Sequence, residues 1–225
     1  MVAVIFTGGS LDRDFAAGFL DKIKYDILIA ADKGTESAKA LGLKADFVLG
    51  DFDSANMELV KNYVKEYNPK MEVFPPEKDY TDTEIAIRCA EKNGADTVYI
   101  LGASGTRLDH TIGNIHALRY LLEKNIKAYT VNECNRIHLL GGVSVGKYSE
   151  TLKKDEQWGK YISFIPLTSE VENVSLKGFK YPLDGGRFEA GGGGILVGIS
   201  NEIEDKEAKV SFSKGILIAV ESRDL

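Results

Sequence analysis

Short apolar runs and helical periodicities alternate along the first 135 residues. Val2 to Phe6, Ile27 to Ala31 and the run Phe47, Val48, Leu49 before Gly50 read as strands, and so do "MEVFPP" (71–76), "TVYILG" (97–102) and "KAYTVN" (127–132). Helix-period segments lie between them at 12–24, 34–41, 54–67, 81–93 and 109–124. Strands separated by helices of this length need crossover connections, which set strands parallel. This half therefore predicts a largely parallel, Rossmann-like three-layer α/β domain.

The period changes after residue 136. "RIHLLGG", "GKYISFIPLT", "VENVSLKG", "GGILVGIS", "EAKVSFSKG" and "GILIAVES" are short apolar or alternating runs, punctuated by Gly, Pro and charged pairs, with no helix-length periodicity among them. They predict an antiparallel β-sandwich. The expected domains are 1–135 and 136–225, with the boundary near 133–138. Pro166 marks its strand as an edge or a bulge. The glycine run 191–194 has neither a following helix nor P-loop spacing, so it reads as a β connection and not as a phosphate nest.

At 225 residues the chain can build one large core or two modest ones. A net charge of −6 without a Lys/Arg-rich segment argues against a nucleic-acid surface. Cys89 and Cys134 lack metal-ligand spacing and read as ordinary buried thiols. "MVAVIFTGG" has no basic leader, and no run approaches the roughly 18 apolar residues of a membrane span, so a cytoplasmic protein without a membrane partner is expected.

Carboxylates recur where the strands of the first half end. Asp51 and Asp53 of "LKADFVLGDFDS" follow Gly50, and their i, i+2 spacing lets both face one object. Asp32 ends the second strand and is followed by Lys33 and Gly34. Thr81 and Glu84 form a capping box, which places Asp82 in a first helical turn, while Asp79 precedes the cap and gains little from the helix dipole. In "LGASGTRLDHTIGNIHAL" the loop glycines allow close backbone approach, Arg107 offers a planar fork for phosphate oxygens, and Asp109 reads as an N-cap.

Parallel strands bring their carboxyl ends to one sheet edge. Asp32, Asp51, Asp53, Asp79, Asp82 and Asp109 then rim one crevice beside Lys33 and Arg107. Oxygen-rich ligands without a Cys/His cluster point to Mg²⁺ with a nucleoside polyphosphate, not to zinc. His110 sits by the rim within reach of phosphate. His116 falls in the apolar periodicity of Ile112, Ile115 and Leu118 and reads as packed.

"AADKG", "GDFDS", "KDYTDTEIA" and "GASGTRLDHTIGN", with "GISNE" and "VSFSKGILIAV" in the second half, closely resemble the thiamine pyrophosphokinase family in order and over nearly the whole chain. The resemblance implies a nucleotide- and Mg-binding α/β domain followed by a thiamine-binding β-sandwich, assembled as a homodimer with thiamine near the subunit interface. It implies transfer of the terminal diphosphate of Mg-ATP to the hydroxyethyl group of thiamine, with release of AMP. It also implies Asp51, Asp53 and Asp79 as metal ligands with Asp82 close by, and Asp32, Arg107 and Asp109 around the nucleotide. Ser200 and Asn201 become thiamine contacts. Trp158, the single tryptophan, stands just before the "YISFIPL" strand and reads either as a flat face for thiamine from the partner subunit or as core packing or a surface edge. Lys33 stands where the family often has glycine, so its role stays open, as does the choice of carboxylate that serves the attacking alcohol. Competing readings are transfer to another hydroxymethyl heterocycle such as a reduced pterin, and a non-catalytic nucleotide- or thiamine-binding regulator.

Overall fold

The computed structural model describes all residues except 54, 76, 78, 143–145, 192–197 and 225. The chain divides into two units, Met1–Glu133 and Cys134–Leu225.

In the first unit, strands β1 (Val2–Phe6), β2 (Ile27–Ala31), β3 (Phe47–Gly50), β4 (Lys70–Val73), β5 (Thr97–Leu101) and β6 (Lys127–Val131) form parallel pairs in the order β4-β3-β2-β1-β5-β6. The helices are α1 (Arg13–Leu20), α2 (Gly34–Ala40), α3 (Met57–Tyr67), α4 (Asp82–Lys92) and α5 (Leu108–Glu123). The first four strands step outward in one direction. The chain then returns across the sheet to place β5 on the other side of β1. With right-handed crossovers, that reversal puts α1 to α3 on one face and α4 and α5 on the other. Packing follows this division, α2 against α3 and α4 against α5. The central strands are covered on both sides, and so β1, β2 and β3 are almost continuously buried, whereas the edge strand β4 is exposed throughout.

Helix starts follow their capping chemistry. Asp12 accepts from the Phe15 N–H at 2.7 Å, and Asn56 accepts from Glu58 and Leu59 at 3.1 Å. The Thr81/Glu84 box forms as read from sequence: Glu84 N–H donates to Thr81 Oγ1 at 3.2 Å and Thr81 N–H donates to Glu84 Oε2 at 2.8 Å. At α5 the expectation changes. Arg107 holds the N-cap position without a side-chain cap, and Asp109 lies inside the first turn. His116 is exposed and not packed, and Ile112 is 56% exposed. The buried side chains of α5 are Leu118 and Leu121, so only its C-terminal half beds on the sheet.

In the second unit β7 (Asn135–Leu140), β13 (Leu217–Ser222) and β9 (Tyr161–Pro166) pair antiparallel in that order. A second sheet has the order β11 (Leu183–Glu189), β10 (Glu170–Lys177), β12 (Glu207–Phe212), β8 (Tyr148–Lys153). Alternate residues of both sheets, among them Ile162, Phe164, Val171, Leu176, Val210 and Leu217, share one core, which makes the unit a sandwich. Pro166 ends β9, which is paired to β13 on one side. Most of the expected strand 193–200 and residues 192–194 of the glycine run lie outside the described residues. Cys89 and Cys134, expected to be buried, are both left partly exposed. Among the described residues no helix is long and apolar enough to cross a membrane.

Candidate active site

The reversal of strand order falls between β1 and β5, and the carboxyl ends of β1, β2, β3 and β5 open there onto a cleft of about 810 Å³. Parallel α/β sheets place their ligands at this position, because the loops diverge to opposite faces and leave a crevice. Its floor is main chain. Thr7 Oγ1 donates to Gly102 O at 2.6 Å, Gly9 N–H to Gly102 O at 2.8 Å, and Ser10 N–H to Ser104 O at 2.7 Å, lacing the loop after β1 to the loop after β5. Gly9 is needed for this approach: a Cβ there would stand 2.2 Å from Gly102 O. Asn114 of α5 donates to Ala103 O at 2.7 Å and Asn132 to Ser104 Oγ at 3.0 Å, which fixes the second loop from below.

Three carboxylates meet in this cleft. Oxygens of Asp32, Asp51 and Asp53 lie within 4.8 Å of one another. Two αL residues turn them inward, Asp32 at φ +48° and Phe52 at φ +58°, and Phe52 is buried so that Asp51 and Asp53 can flank it. Non-glycine residues in αL store strain that the surroundings must hold, and such residues cluster at functional sites. Asp32 thus meets Asp51 and Asp53, two of the three residues expected to bind metal. Asp79 and Asp82 line the same cleft but fall outside the three-carboxylate group, with Asp79 exposed just before the Thr81 cap.

Lys33, Arg107 and His110 also line the cleft. Arg107 and Asp109 form an exposed bidentate pair, and the guanidinium holds the Asp109 carboxyl at a pKa of about 2. Asp109 itself faces a neighbouring groove of about 590 Å³ between α4 and α5, which shares Thr81, His110 and Asn114 with the main cleft. The sequence reading missed Thr7, Gly8, Gly9, Ser10, Ser104 and Asn114. The visible signal for the first four was "TGGS" directly after a strand.

The remaining expected residues lie in the second unit. Asn201 is fully buried and its amide is committed: Oδ1 accepts from Tyr181 N–H at 3.0 Å and Glu202 N–H at 2.9 Å, while Nδ2 donates to Tyr181 O at 2.8 Å. Its main chain bridges Ile162 in both directions. Ser200 is exposed, at φ +55°, with its N–H donating to Ser163 Oγ at 3.0 Å. Trp158 does not offer a clear face. The guanidiniums of Arg136 and Arg223 lie 5.8 and 5.7 Å from its ring centroid, and its backbone N–H donates to Glu221 Oε2 at 2.8 Å.

Comparison with known proteins agrees with this layout. Residues 22–130 match the thiamin pyrophosphokinase catalytic domain and residues 149–217 the thiamin pyrophosphokinase vitamin B1 binding domain. A thiamine pyrophosphokinase of Bacillus subtilis is 34% identical over 92% of this chain and 91% of its own length. Among solved structures, thiamine pyrophosphokinase from B. subtilis superposes with a TM-score of 0.84 at 30% identity over both whole chains. The Geobacillus thermodenitrificans structure gives 0.78 at 31% identity, over 100% of this chain and 98% of that one. Thiamin pyrophosphokinase from Candida albicans shares the fold, with a TM-score of 0.77 at 19% identity over 99% and 90% of the two chains.

Proposed function

The chain belongs to the thiamine pyrophosphokinase family, and from that premise we propose that it moves the terminal diphosphate of ATP to the hydroxyethyl group of thiamine, releasing AMP. The observation that carries the reading is the meeting of Asp32, Asp51 and Asp53 at the switch point of a parallel sheet. Three carboxylates within 4.8 Å repel one another unless a cation is shared, and an oxygen-only donor set suits a hard divalent ion. Mg²⁺ held there supplies charge neutralisation to the phosphate oxygens.

The chain's own residues do the rest. The two loops that pack together at Gly9 and Gly102 make the floor on which the nucleotide lies, with Lys33 and His110 beside its phosphates. Arg107 is exposed and pairs with Asp109 across solvent, so its fork can turn to the transferred diphosphate. Asp79 and Asp82 orient the acceptor hydroxyl. Its oxygen bonds to the β-phosphorus as the bond to the oxygen bridging α and β breaks, AMP departs with that oxygen, and the hydroxyl proton passes through a cleft carboxylate to solvent. A loose transition state needs little base strength, which a carboxylate can provide.

In this reading Ser200 touches thiamine and Asn201 acts by holding the chain around it. The protein works in the cytoplasm as a homodimer with thiamine near the subunit interface. ³¹P NMR of protein, Mg-ATP and thiamine tests the chemistry: equal amounts of AMP and thiamine diphosphate are expected, and ADP with thiamine monophosphate refutes it. Sedimentation at micromolar concentration tests the dimer.

A further inference from the structure

The chain between β4 and α4 brings Asp79 and Asp82 to the cleft on few supports. β4 is an edge strand, and just past it Phe74 N–H donates to Gly50 O at 3.0 Å. Among the described residues the next hydrogen bonds are those of the Thr81/Glu84 box. Asp79 stands exposed between these two ties, in a cleft that already holds the carboxylates of Asp32, Asp51 and Asp53. Like charge drives it outward, and an exposed side chain has no packing to resist, so the segment needs an anchor.

Tyr80 supplies one. The Arg88 guanidinium of α4 lies over its ring, 4.3 Å from the centroid, and over the ring of Tyr120 on α5, also at 4.3 Å. Among the described residues Pro75, Glu77, Asp79 and Tyr80, this is the one hydrogen-bond, ion-pair or ring contact to the body of the unit. Arg88 is left to the rings by its surroundings. Glu84, at i, i+4 spacing, is its natural ion-pair partner, but that carboxylate accepts from Thr81 N–H at 2.8 Å and Thr81 Oγ1 at 3.0 Å in the capping box. Glu91 accepts from the Tyr120 hydroxyl at 3.4 Å. The half-buried guanidinium therefore rests on two aromatic faces, which its plane fits better than an ammonium does. Tyr120 belongs to the half of α5 that beds on the sheet through Leu118 and Leu121, so that end of the stack is rigid. Tyr80 lines the cleft and Arg88 the neighbouring groove, so the contact joins a wall of one to a wall of the other.

We propose that Arg88 is a positioning residue: by holding the Tyr80 ring it keeps the segment bearing Asp79 and Asp82 over the cleft. The inference rests on the transfer reading above, in which those two carboxylates orient the acceptor hydroxyl. Arg88→Leu and Tyr80→Leu are each expected to lower kcat at least about tenfold and leave the ATP KM within about twofold, since small displacements of orienting groups are costly while the three-carboxylate group lies on other loops. Arg88→Lys keeps the charge without the planar stack and should fall like Arg88→Leu, whereas Tyr80→Phe keeps the ring and should retain most of the rate. The double variant Arg88→Leu/Tyr80→Leu should fall no further than either single one, because both remove the same contact. Additive losses, an Arg88→Lys rate near wild type, or a Tyr80→Phe rate as low as that of Tyr80→Leu each overturn the assignment. Hydrogen exchange of the ligand-free protein reads the anchor without turnover: the peptide spanning 74–83 should exchange about tenfold faster in Arg88→Leu, with β1 and β5 unchanged. Unchanged exchange in that peptide, or faster exchange throughout the unit, refutes the anchor. Wild-type protein that releases no AMP with thiamine refutes the transfer reading, and the exchange result still decides whether Arg88 holds the segment.

Discussion

Replacing Asn201 by alanine separates a residue that touches a ligand from one that holds the chain. Its amide satisfies the N–H and C=O of Tyr181 and the N–H of Glu202, at 2.8 to 3.0 Å, from a position with no solvent exposure. The substitution removes all three bonds and leaves a small void. Water can reach Tyr181 and Glu202 in part, so each bond counts near its ordinary net value of about 1 kcal/mol and the total comes to about 2–4 kcal/mol. In a chain of this size that lowers Tm by about 5–15 °C. Asn201→Asp is a sharper probe, since it keeps the acceptor but loses the donor and buries a charge. It should be at least as destabilising. Differential scanning fluorimetry of the ligand-free protein, with urea unfolding as the second measure, reads both variants. An Asn201→Ala protein that loses thiamine affinity at an unchanged Tm would show the amide to be a ligand contact and refute the structural role.

Asp51→Asn and Asp53→Asn should each lower kcat by at least about 100-fold while Tm holds or rises, because either change relieves repulsion among the three carboxylates and weakens cation binding; a Tm that collapses with activity sinks the metal-site reading, and the Mg²⁺ concentration for half-maximal rate should rise in parallel. Gly9→Ala would place its Cβ 2.2 Å from Gly102 O and 2.4 Å from Ser104 O, forcing apart the two loops of the cleft floor, so ATP affinity measured by titration should fall sharply, and retention of it would refute the close approach. His138 is buried beside Glu221, with Glu150 and Arg136 also acting on it, and burial pushes its pKa below 6.5. The unfolded chain then binds a proton that the folded chain refuses, so stability falls as pH drops below about 6.5; His138→Gln should flatten that slope between pH 7 and 5 in urea titrations, and an unchanged slope would place the effect elsewhere.

The first unit is legible because its signals are local. Strands covered on both faces must be continuous apolar runs, and Val2–Phe6 and Ile27–Ala31 are found as read. Helix ends carried their own chemistry, as at the Thr81/Glu84 box. The second unit is harder to read. β8, "YSETLK", alternates polar with half-buried residues, and β11, "LDGGRFE", carries two glycines. Neither has a run of apolar residues, and each takes its strand form from its neighbours, β8 from β12 and β11 from β10. Tertiary pairing overrode propensity at both places. α5 failed in the opposite sense: its periodicity was real, but the half that carries Ile112 and His116 overhangs the sheet instead of bedding on it.

The candidate site divides along the same line. A carboxylate at a strand end inherits its position from the strand, so parallel order alone brings Asp32, Asp51 and Asp53 to one edge before any long-range contact is known. The αL turns at Asp32 and Phe52 have no such signature, and nothing local in the chain shows that Asp32 meets that pair while Asp79 stays outside. In the sandwich the deciding facts are long-range. Trp158 looks available in sequence because Arg136 and Arg223 are far from it in the chain, and Asn201 looks like a ligand contact because Tyr181 lies 20 residues away. Folding turns the apparent contact into a brace.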